Sequence, residues 1–413
     1  MQLRPATRTE IREIAELWTH TFPDGPTLAD RVRTLEEAGS AGGIETVTVA
    51  IDDDRIAGAL KSLKFTQHIG GAALPMFGLA AVGVAPWARR RGVARILCEH
   101  ALHESFERRD AVSALYPFRP AFYRRMGWAL TGELHRYRFP PERLTDPGDP
   151  AVRLATASDL PAVEECYAHV AERSNGLIDR DSIRWDHHLD KAGTHVFAAS
   201  TGDTVDGYMI VRYGRSRSGE TRPLAVREIV TADPAAYARL LAFISRQRDL
   251  WRRVRYDASP DERFGHRLTD PRPPGYATAR GLWAETARVL RGPMFRIVNV
   301  ERAFSLRTSW GPAPAFEFSL AVDDAQLPGN AGPWSIAFDG QAASIQPADR
   351  AAAASPASHT RLAVDAPALA QLFAGELAPS AAQRLGTASI EGDTAALDAF
   401  FMNTASFRLL DEF

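Results

Sequence analysis

One stretch of this 413-residue chain, residues 79–102, constrains the fold more than any other. It begins with an apolar run typical of a buried strand, and Pro86 ends that run because proline has no N–H for a β-ladder. Arg-Arg-Arg-Gly follows at 89–92, and from Val93 onward apolar residues recur at helical spacing. The pattern therefore predicts a buried strand, a small basic turn and an amphipathic helix in direct succession.

The start of this helix has the features of a phosphate-binding site. The first turn of a helix leaves backbone N–H groups without partners and carries a partial positive charge. Gly92 and Ala94 have little or no side chain, so a ligand can approach the backbone closely, and the arginines attract anions. The alternative is a basic helix cap with solvated arginines. The position between a buried strand and an amphipathic helix favours a phosphate or pyrophosphate.

This segment resembles the acetyl-CoA motif of the GNAT superfamily of N-acetyltransferases. The string VGVAPWARRRG at 82–92 is closest to the Eis (enhanced intracellular survival) branch, and it lacks the Gly-Lys-Ser/Thr of a Walker P-loop. The resemblance implies that the strand at Val82, Gly83 and Val84 offers its backbone to the pantetheine arm. It also implies a cradle for the CoA pyrophosphate, formed by Arg89, Arg90, Arg91, Gly92, Val93 and Ala94.

Composition argues against several other classes of protein. A formal net charge of −2 gives no reason to expect a nucleic-acid partner, and 45% hydrophobic with 24% charged residues is ordinary for a soluble globular chain. Cys98 and Cys166 are too few for a disulfide framework or a zinc cluster, so we expect two buried thiols and no metal.

The sequence predicts neither a membrane span nor a signal peptide. Residues 69–88 carry no charge and are long enough to span a bilayer. Their glycines and prolines favour two buried strands around a turn instead. The N terminus lacks the apolar core of a signal peptide. We expect a cytoplasmic protein without a membrane partner.

The first of three predicted domains covers residues 1–145. A helix-rich start, antiparallel strands and one βαβ crossover indicate a mixed α/β domain, completed by strand residues at 128–139. A linker rich in proline and charge follows up to residue 150 and indicates a domain boundary.

The order of elements then repeats over residues 151–292, but Asp233 stands where the first domain has its Gly-Arg turn and would repel a phosphate. Residues 293–413 open with a predicted strand at 295–300, include an alanine-rich loop at 348–357, and resemble the sterol-carrier-protein-like domain that closes Eis proteins. The predicted fold class is α/β (α+β): tandem GNAT-like mixed-sheet domains, the second degenerate, followed by a sterol-carrier-protein-like α+β domain.

Acetyl transfer to an amine needs a polarised thioester carbonyl, a deprotonated amine and a protonated leaving thiolate. Backbone N–H groups near Val84 are suited to polarising the carbonyl. Tyr123, in the segment FYRRMG at 122–127, matches the tyrosine that the family resemblance assigns as general acid. A phenol of pKa ~10 can protonate a thiolate of comparable basicity. The alternative is a core aromatic with a hydrogen-bonded hydroxyl.

The chain ends Leu-Leu-Asp-Glu-Phe, and the Eis resemblance implies that this terminus enters the active site. Phe413 would anchor it, while its α-carboxylate orients the ammonium or relays its proton through water; the alternative is a frayed tail. The same resemblance places Asp24 and Glu412 by the acceptor cleft. Acidic groups there attract aminoglycosides, polyamines or lysine-like amines, although each acid alone is also consistent with a solvated surface carboxylate.

The sequence therefore predicts an enzyme, an N-acetyltransferase that moves acetyl directly from acetyl-CoA to an amine of a cationic small molecule. One alternative is a CoA- or lipid-binding sensor without turnover, which would need neither Tyr123 nor the terminal Glu412 and Phe413. Another is acetylation of protein lysines at the same site. The resemblance also implies a homo-oligomer, a hexamer.

Overall fold

The computed structural model describes residues 1–37, 42–145, 151–189, 193–202, 204–214, 224–275, 283–348, 360–403 and 405–413. The chain divides into two units. The first comprises residues 1–131, 293–404 and 411–413, and the second comprises residues 132–292 and 405–410.

The first 130 residues contribute six strands to a mixed sheet that has helices on both faces. On one face Gly83 lies against the first helix, since a Cβ there would come within 2.6 Å of Leu17 Cδ2. On the other face Gly58 lies against Val93 of the third helix. The elements are β1 (Gln2–Pro5), α1 (Ile11–Thr21), α2 (Leu28–Glu36), β2 (Val47–Asp52), β3 (Arg55–Ile69), β4 (Ala72–Val84), α3 (Val93–Glu107), β5 (Val112–Leu115), α4 (Pro120–Arg124) and β6 (Ala129–Leu130).

The second unit contains a seven-stranded sheet of its own. Its elements are β7 (Glu133–Phe139), β8 (Val152–Leu154), α5 (Leu160–Ala171), α6 (Ser182–Leu189), β9 (Thr194–Thr201), β10 (Thr204–Tyr213), β11 (Leu224–Thr231), α7 (Pro234–Ser245), β12 (Val254–Ala258) and β13 (Arg288–Arg291). The strand order is β13-β7-β12-β11-β10-β9-β8, and β11 and β12 are parallel, as β4 and β5 are in the first sheet.

The remaining residues complete the first unit. They form β14 (Met294–Ile297), α8 (Val300–Leu306), β15 (Phe316–Asp323), β16 (Trp334–Phe338), β17 (Ala343–Pro347), β18 (Thr360–Asp365), α9 (Ala366–Phe373), α10 (Pro379–Arg384), β19 (Ala388–Glu391) and α11 (Thr394–Phe401). Strands β15–β19 make a five-stranded sheet of order β17-β16-β15-β18-β19. Its core is strongly aromatic, with Trp310 stacked on Phe400 at 4.2 Å between ring centroids.

Most local predictions are confirmed. The fold class is the mixed α/β class predicted, and helix α3 begins at Val93. The uncharged segment 69–88 is the end of β3, a turn, β4 and the short turn Pro86–Ala88. Within the described parts of the chain, no helix has both the length and the apolar character needed to cross a bilayer. The predicted loop at 348–357 lies outside the described residues after its first residue.

Two strands lie in a different sheet from the one predicted. The prediction that residues through 139 complete the first sheet is wrong for β7, which pairs with β12 and β13 of the second sheet. The prediction that a strand at 295–300 opens the third domain is also wrong. That strand is β14, and it lies between β5 and β6 of the first sheet, with Phe295 opposite Ala114 and Ala129. An alternating pattern identifies a strand, but the choice of partner depends on ladders between residues far apart in sequence.

Strand β14 also carries the most buried ion pair of the first unit. The guanidinium of Arg296, fully buried, donates to both carboxylate oxygens of Asp324 at 2.7 Å. Gly127 makes room for this side chain, because a Cβ there would overlap the guanidinium. Breaking such a buried pair leaves an uncompensated charge, so β14 is strongly held in place.

Candidate active site

Strands β4 and β5 run side by side for only three residues and then separate. They pair from Met76 and Val112 to Gly78 and Ala114. Strand β4 continues to Val84 against β3, with a bulge near Ala81, whose φ of 50° is unusual for a residue with a side chain. Bulges bend strands, and this one lies where β4 leaves β5.

The separated part of β4 contains Val82, Gly83 and Val84, which were predicted to meet pantetheine. Beyond Gly78 one edge of β4 is not paired with β5. Backbone N–H and C=O groups along such an edge can pair with another chain or with the amides of a ligand. The geometry is therefore suited to an extended ligand that carries amide groups.

The turn before α3 presents backbone N–H groups to open space. Arg90 and Gly92 have φ of 65° and 84°, and Gly92 caps the helix. A Cβ on Gly92 would meet nothing within 4 Å. The first α-helical bond runs from Ile96 N–H to Gly92 C=O, so Val93 and Ala94 have no acceptor within the helix. This is the geometry of an anion site at a helix start.

The three arginines of this turn are not equivalent. Arg91 forms an ion pair with Asp52 of β2, with 2.8 Å between Nη1 and Oδ2. Arg89 and Arg90 are exposed and make no ion pair within the described residues. Arg89 and Arg90 are therefore available to a phosphate, whereas Arg91 must first break its ion pair with Asp52.

The corresponding helix start in the second unit is blocked. The Asp233 side chain accepts hydrogen bonds from the N–H groups of Ala235 and Ala236 at 2.6 and 2.9 Å. A carboxylate thus occupies the position that a phosphate would take at the start of α7. Only the first unit combines a free helix start with a basic turn among the described residues.

Tyr123 lies on α4 with 3% of its surface exposed. Its ring packs edge-on against Phe118, Phe122 and Trp128, at centroid distances of 5.7, 4.9 and 6.4 Å. Burial raises the pKa of Tyr123, and the nearby Cys98 thiol of α3 raises it further. The phenol therefore stays protonated at physiological pH and remains a proton donor.

Phe413 lies where β4 and β5 diverge. Its ring centroid is 5.0 Å from that of Phe65 and 5.9 Å from that of Tyr116. A Cβ on Gly78, the last β4 residue paired with β5, would lie 3.1 Å from Phe413 Cε2. The C-terminal residue is thus packed on the strand whose continuation was predicted to bind pantetheine.

Sequence reasoning missed the residues that receive this terminus. Burial raises the pKa of Tyr116, and the carboxylates of Asp411 and Glu412 raise it further. Asp411 is buried and Glu412 is exposed. The available signal was an aromatic residue directly after a buried strand, but nothing in the local sequence links it to the chain end.

The other predicted acceptor carboxylate, Asp24, is exposed in the loop between α1 and α2. Within the described residues no measured interaction joins it to the tail. Both predicted cysteines are buried, as expected. The described part of the chain holds no group of three or more His, Cys, Asp or Glu side chains arranged to bind a metal ion.

Lys61 is a second residue that sequence reasoning missed. It lies on β3 opposite Ala80 of β4, with 8% of its surface exposed and its Nζ 5.6 Å from the centre of the Trp18 ring. Burial lowers the pKa of this ammonium to about 8, although Glu45 partly opposes the effect. A cation is thus buried on the sheet face that carries α1.

Comparison with known protein families covers nearly the whole chain. Two profiles of the acetyltransferase (GNAT) domain match residues 2–131 and 176–297, and the sterol carrier protein domain matches residues 300–408. The two acetyltransferase matches together span more than half of the sequence.

Several bacterial proteins are similar to most of this chain. An uncharacterized N-acetyltransferase of Streptomyces avermitilis is 28% identical over 71% of this chain and 72% of its own length. N-acetyltransferase Eis of Mycobacterium bovis is 27% identical over 73% of this chain and 74% of its own length. The crystal structure of a GCN5-related N-acetyltransferase from Anabaena variabilis has a TM-score of 0.83 and 23% identity, covering the whole of both chains.

Proposed function

Since this chain belongs to the GNAT N-acetyltransferases, we propose that it transfers the acetyl group of acetyl-CoA directly to an amine of a cationic small molecule. The acceptor we propose is an aminoglycoside, a polyamine or a lysine-like amine. One observation supports this proposal: the ring of Phe413 is packed on β4 where that strand parts from β5.

The proposed donor site uses the features of β4 and α3. The backbone of Val82, Gly83 and Val84 would pair with the amides of pantetheine. The pyrophosphate would meet the open N–H groups of Val93 and Ala94 and the conformation that Gly92 allows. Arg89 and Arg90 add charge, and Arg91 is proposed as a further ligand that first breaks its pair with Asp52.

The proposed reaction is a direct displacement. The amine lone pair attacks the thioester carbonyl, a C–N bond forms and the C–S bond breaks. The proton lost by the amine passes to the terminal carboxylate of Phe413, directly or through water. Tyr123 gives its proton to the leaving thiolate. Burial disfavours a thiolate as it disfavours a phenolate. It therefore shifts the pKa of the leaving thiol and the pKa of the phenol in the same direction.

The proposed acceptor preference rests on two exposed acidic residues, one of them next to the terminus. Glu412 is exposed one residue before Phe413, and Asp24 is exposed after α1. Carboxylates at the rim of a cleft concentrate cationic ligands. The need for acetyl-CoA supports a cytoplasmic enzyme, and the family resemblance supports a homohexamer, which light scattering of the purified chain tests.

The release of free CoA thiol from acetyl-CoA tests the function directly. The full chain is incubated with an aminoglycoside, spermidine, free lysine and a lysine peptide in turn, and CoA binding is measured by calorimetry in parallel. We expect CoA uptake and thiol release with at least one small cationic amine. CoA uptake without release would indicate a sensor, release with the peptide alone a protein acetyltransferase, and no uptake would overturn the donor site.

A further inference from the structure

One face of the second sheet concentrates positive charge. A row of directly paired residues crosses four neighbouring strands: Arg212 of β10 faces Ala225 of β11, Ala225 faces Arg255 of β12, and Arg255 faces Arg138 of β7. Neighbouring strands are about 4.8 Å apart, so this row is roughly 14 Å long. Arg138 is part of this row because β7 pairs with β12 of the second sheet, whereas the sequence predicted β7 in the first sheet.

A second row lies beside the first. Arg136 of β7 faces Arg288 of β13 on one side and Asp257 of β12 on the other. We call six arginines of these strands the basic face: Arg136, Arg138, Arg212, Arg227, Arg255 and Arg288. Four of them, Arg138, Arg212, Arg227 and Arg288, are exposed.

The basic face is electrostatically unfavourable in the protein alone. Like charges directly opposite each other on neighbouring strands are destabilising, and Arg138 faces Arg255 in this way. Burial lowers the pKa of Arg255, and the charges of Arg136, Arg227 and Arg138 lower it further, against the single opposing charge of Asp257. The Nε of Arg255 is buried without a hydrogen-bond partner.

Within the described residues the paired rows hold one carboxylate, Asp257, and Glu285, outside the rows, forms an ion pair of 3.4 Å with Arg288. Asp257 accepts two hydrogen bonds of 2.7 Å from Arg136 and is thereby engaged. The whole chain has a net charge of −2, so this concentration of arginine is local. An anionic ligand with several charges would relieve the repulsion.

We infer that the basic face binds a linear polyphosphate. Guanidinium groups recognise phosphate oxygens in bidentate geometry, and Arg212, Arg255 and Arg138 of the first row offer a track for successive phosphates. The basic face belongs to the second unit and the proposed acetyl-transfer site to the first, and the inference does not depend on that site.

The side chains around the arginines favour polyphosphate over nucleic acid. Proteins that bind single strands without sequence preference interleave basic residues with aromatic rings on which bases stack. Of the aromatic residues of these strands, Tyr137, Phe139, Tyr213 and Tyr256 belong to or pack against one buried cluster, and Tyr208 is fully buried in another. None of the described residues of these five strands is an exposed aromatic residue on which a base could stack.

Titration of labelled short-chain inorganic polyphosphate against the full chain tests this inference. The test variant is Arg138→Gln/Arg255→Gln. The matched control is Arg8→Gln/Arg384→Gln, which removes the same charge from exposed positions of the first unit. We expect the test variant to lose at least about tenfold in affinity, and its plot of log affinity against log salt to be shallower by about one for each arginine removed. The control should change much less.

A second variant, Arg138→Lys/Arg255→Lys, separates bidentate recognition from simple charge. It should keep the salt dependence but lose part of the affinity. Thermal melting checks folding, and the glutamine variant should melt no lower than the parent because a repulsive pair is gone.

Four outcomes would overturn the inference. They are absence of polyphosphate binding at low salt, equal losses in the test and control variants, binding of a single-stranded RNA of equal charge as tightly as polyphosphate, and dissociation of an oligomer in the glutamine variant. The last would mean that the face contacts a second copy of the chain.

Discussion

At the scale of single residues, burial shifts two groups of the first unit in opposite directions. It raises the pKa of Tyr123 and lowers that of Lys61 to about 8. The cause is the same in both cases, because a low-dielectric interior disfavours a charged phenolate and a charged ammonium alike. The raised pKa keeps Tyr123 protonated as a proton donor. The lowered pKa of Lys61 means that its charged form costs free energy of folding.

We expect Tyr123→Phe to lower kcat by about 10²-fold or more, the usual scale of general acid catalysis, and to leave CoA affinity unchanged. The ring contacts with Phe118, Phe122 and Trp128 are kept, so only the proton is removed. Steady-state kinetics and calorimetry measure the two quantities. Tyr213→Phe, in the second unit, is the matched control. An unchanged kcat would exclude Tyr123 as the acid.

Lys61 has a defined effect on the pH dependence of stability. Its folded pKa of about 8 lies below its ordinary value of 10.5, so between these values the unfolded chain binds a proton that the folded chain does not. Above the pKa of Lys61 in the unfolded chain, the lysine does not lower the free energy of unfolding. As the pH falls through the pKa in the folded chain, this stability is lost.

We therefore expect Lys61→Met to increase the free energy of unfolding at pH 7 by up to about 3 kcal/mol. The gain should shrink as pH rises towards 10.5. Denaturant unfolding across this range measures it. Lys64→Met, at an exposed position of the same strand, should show little change. A gain independent of pH would contradict the electrostatic origin.

At the scale of elements, the start of α3 is the feature that separates the two acetyltransferase domains. Both helices follow a strand that has a parallel neighbour, but Asp233 occupies the N–H groups of α7 while Gly92 leaves those of α3 open. A single capping residue thus decides whether such a helix offers an anion site.

We expect Gly92→Ala to weaken CoA binding about tenfold, because the methyl group enters the space that a phosphate would occupy. It also costs stability, since alanine is strained at a φ of 84°. Gly386→Ala is the matched control: its φ is 72°, and a Cβ there likewise meets nothing within 4 Å. If both variants melt alike but only Gly92→Ala loses affinity for CoA, the effect belongs to the site; equal affinities would refute it.

The C-terminal tail is the second element with a direct test. Adding several residues after Phe413 moves the carboxylate away from the divergence of β4 and β5. We expect kcat to fall at least tenfold with little change in CoA affinity, in line with the loss of a positioned proton acceptor. Phe413→Leu keeps both the terminal carboxylate and an apolar anchor and should remain active. Full activity of the extended chain would reject a catalytic terminus.

At the scale of the whole molecule, the first unit is assembled from both ends of the chain. Strand β14 hydrogen-bonds to β5 and β6, and Met294 and Val298 belong to the same buried cluster as Tyr123. The first sheet is therefore incomplete without residues that come after the second unit. Only residues 2–131 match the first GNAT profile.

We consequently expect a fragment of residues 1–145 not to fold cooperatively. It lacks β14 inside its sheet, and its own β7 lacks the partners β12 and β13. Calorimetric melting of the fragment, beside the full chain, measures this. A sharp transition of the isolated fragment would show that β14 is dispensable.

Local sequence determined most of the elements and the basic turn before α3. Periodicity identified α3, and Arg-Arg-Arg-Gly after an apolar run identified the open helix start. These patterns are contained in windows of up to about 18 residues, in which the spacing of apolar residues identifies a helix or a strand. Only tertiary structure decided which sheet receives β7 and β14, that Phe65 and Tyr116 receive the terminus, and that Arg138 faces Arg255. Strand pairing and side-chain packing join residues far apart in the chain, and short-range preferences cannot encode such partners.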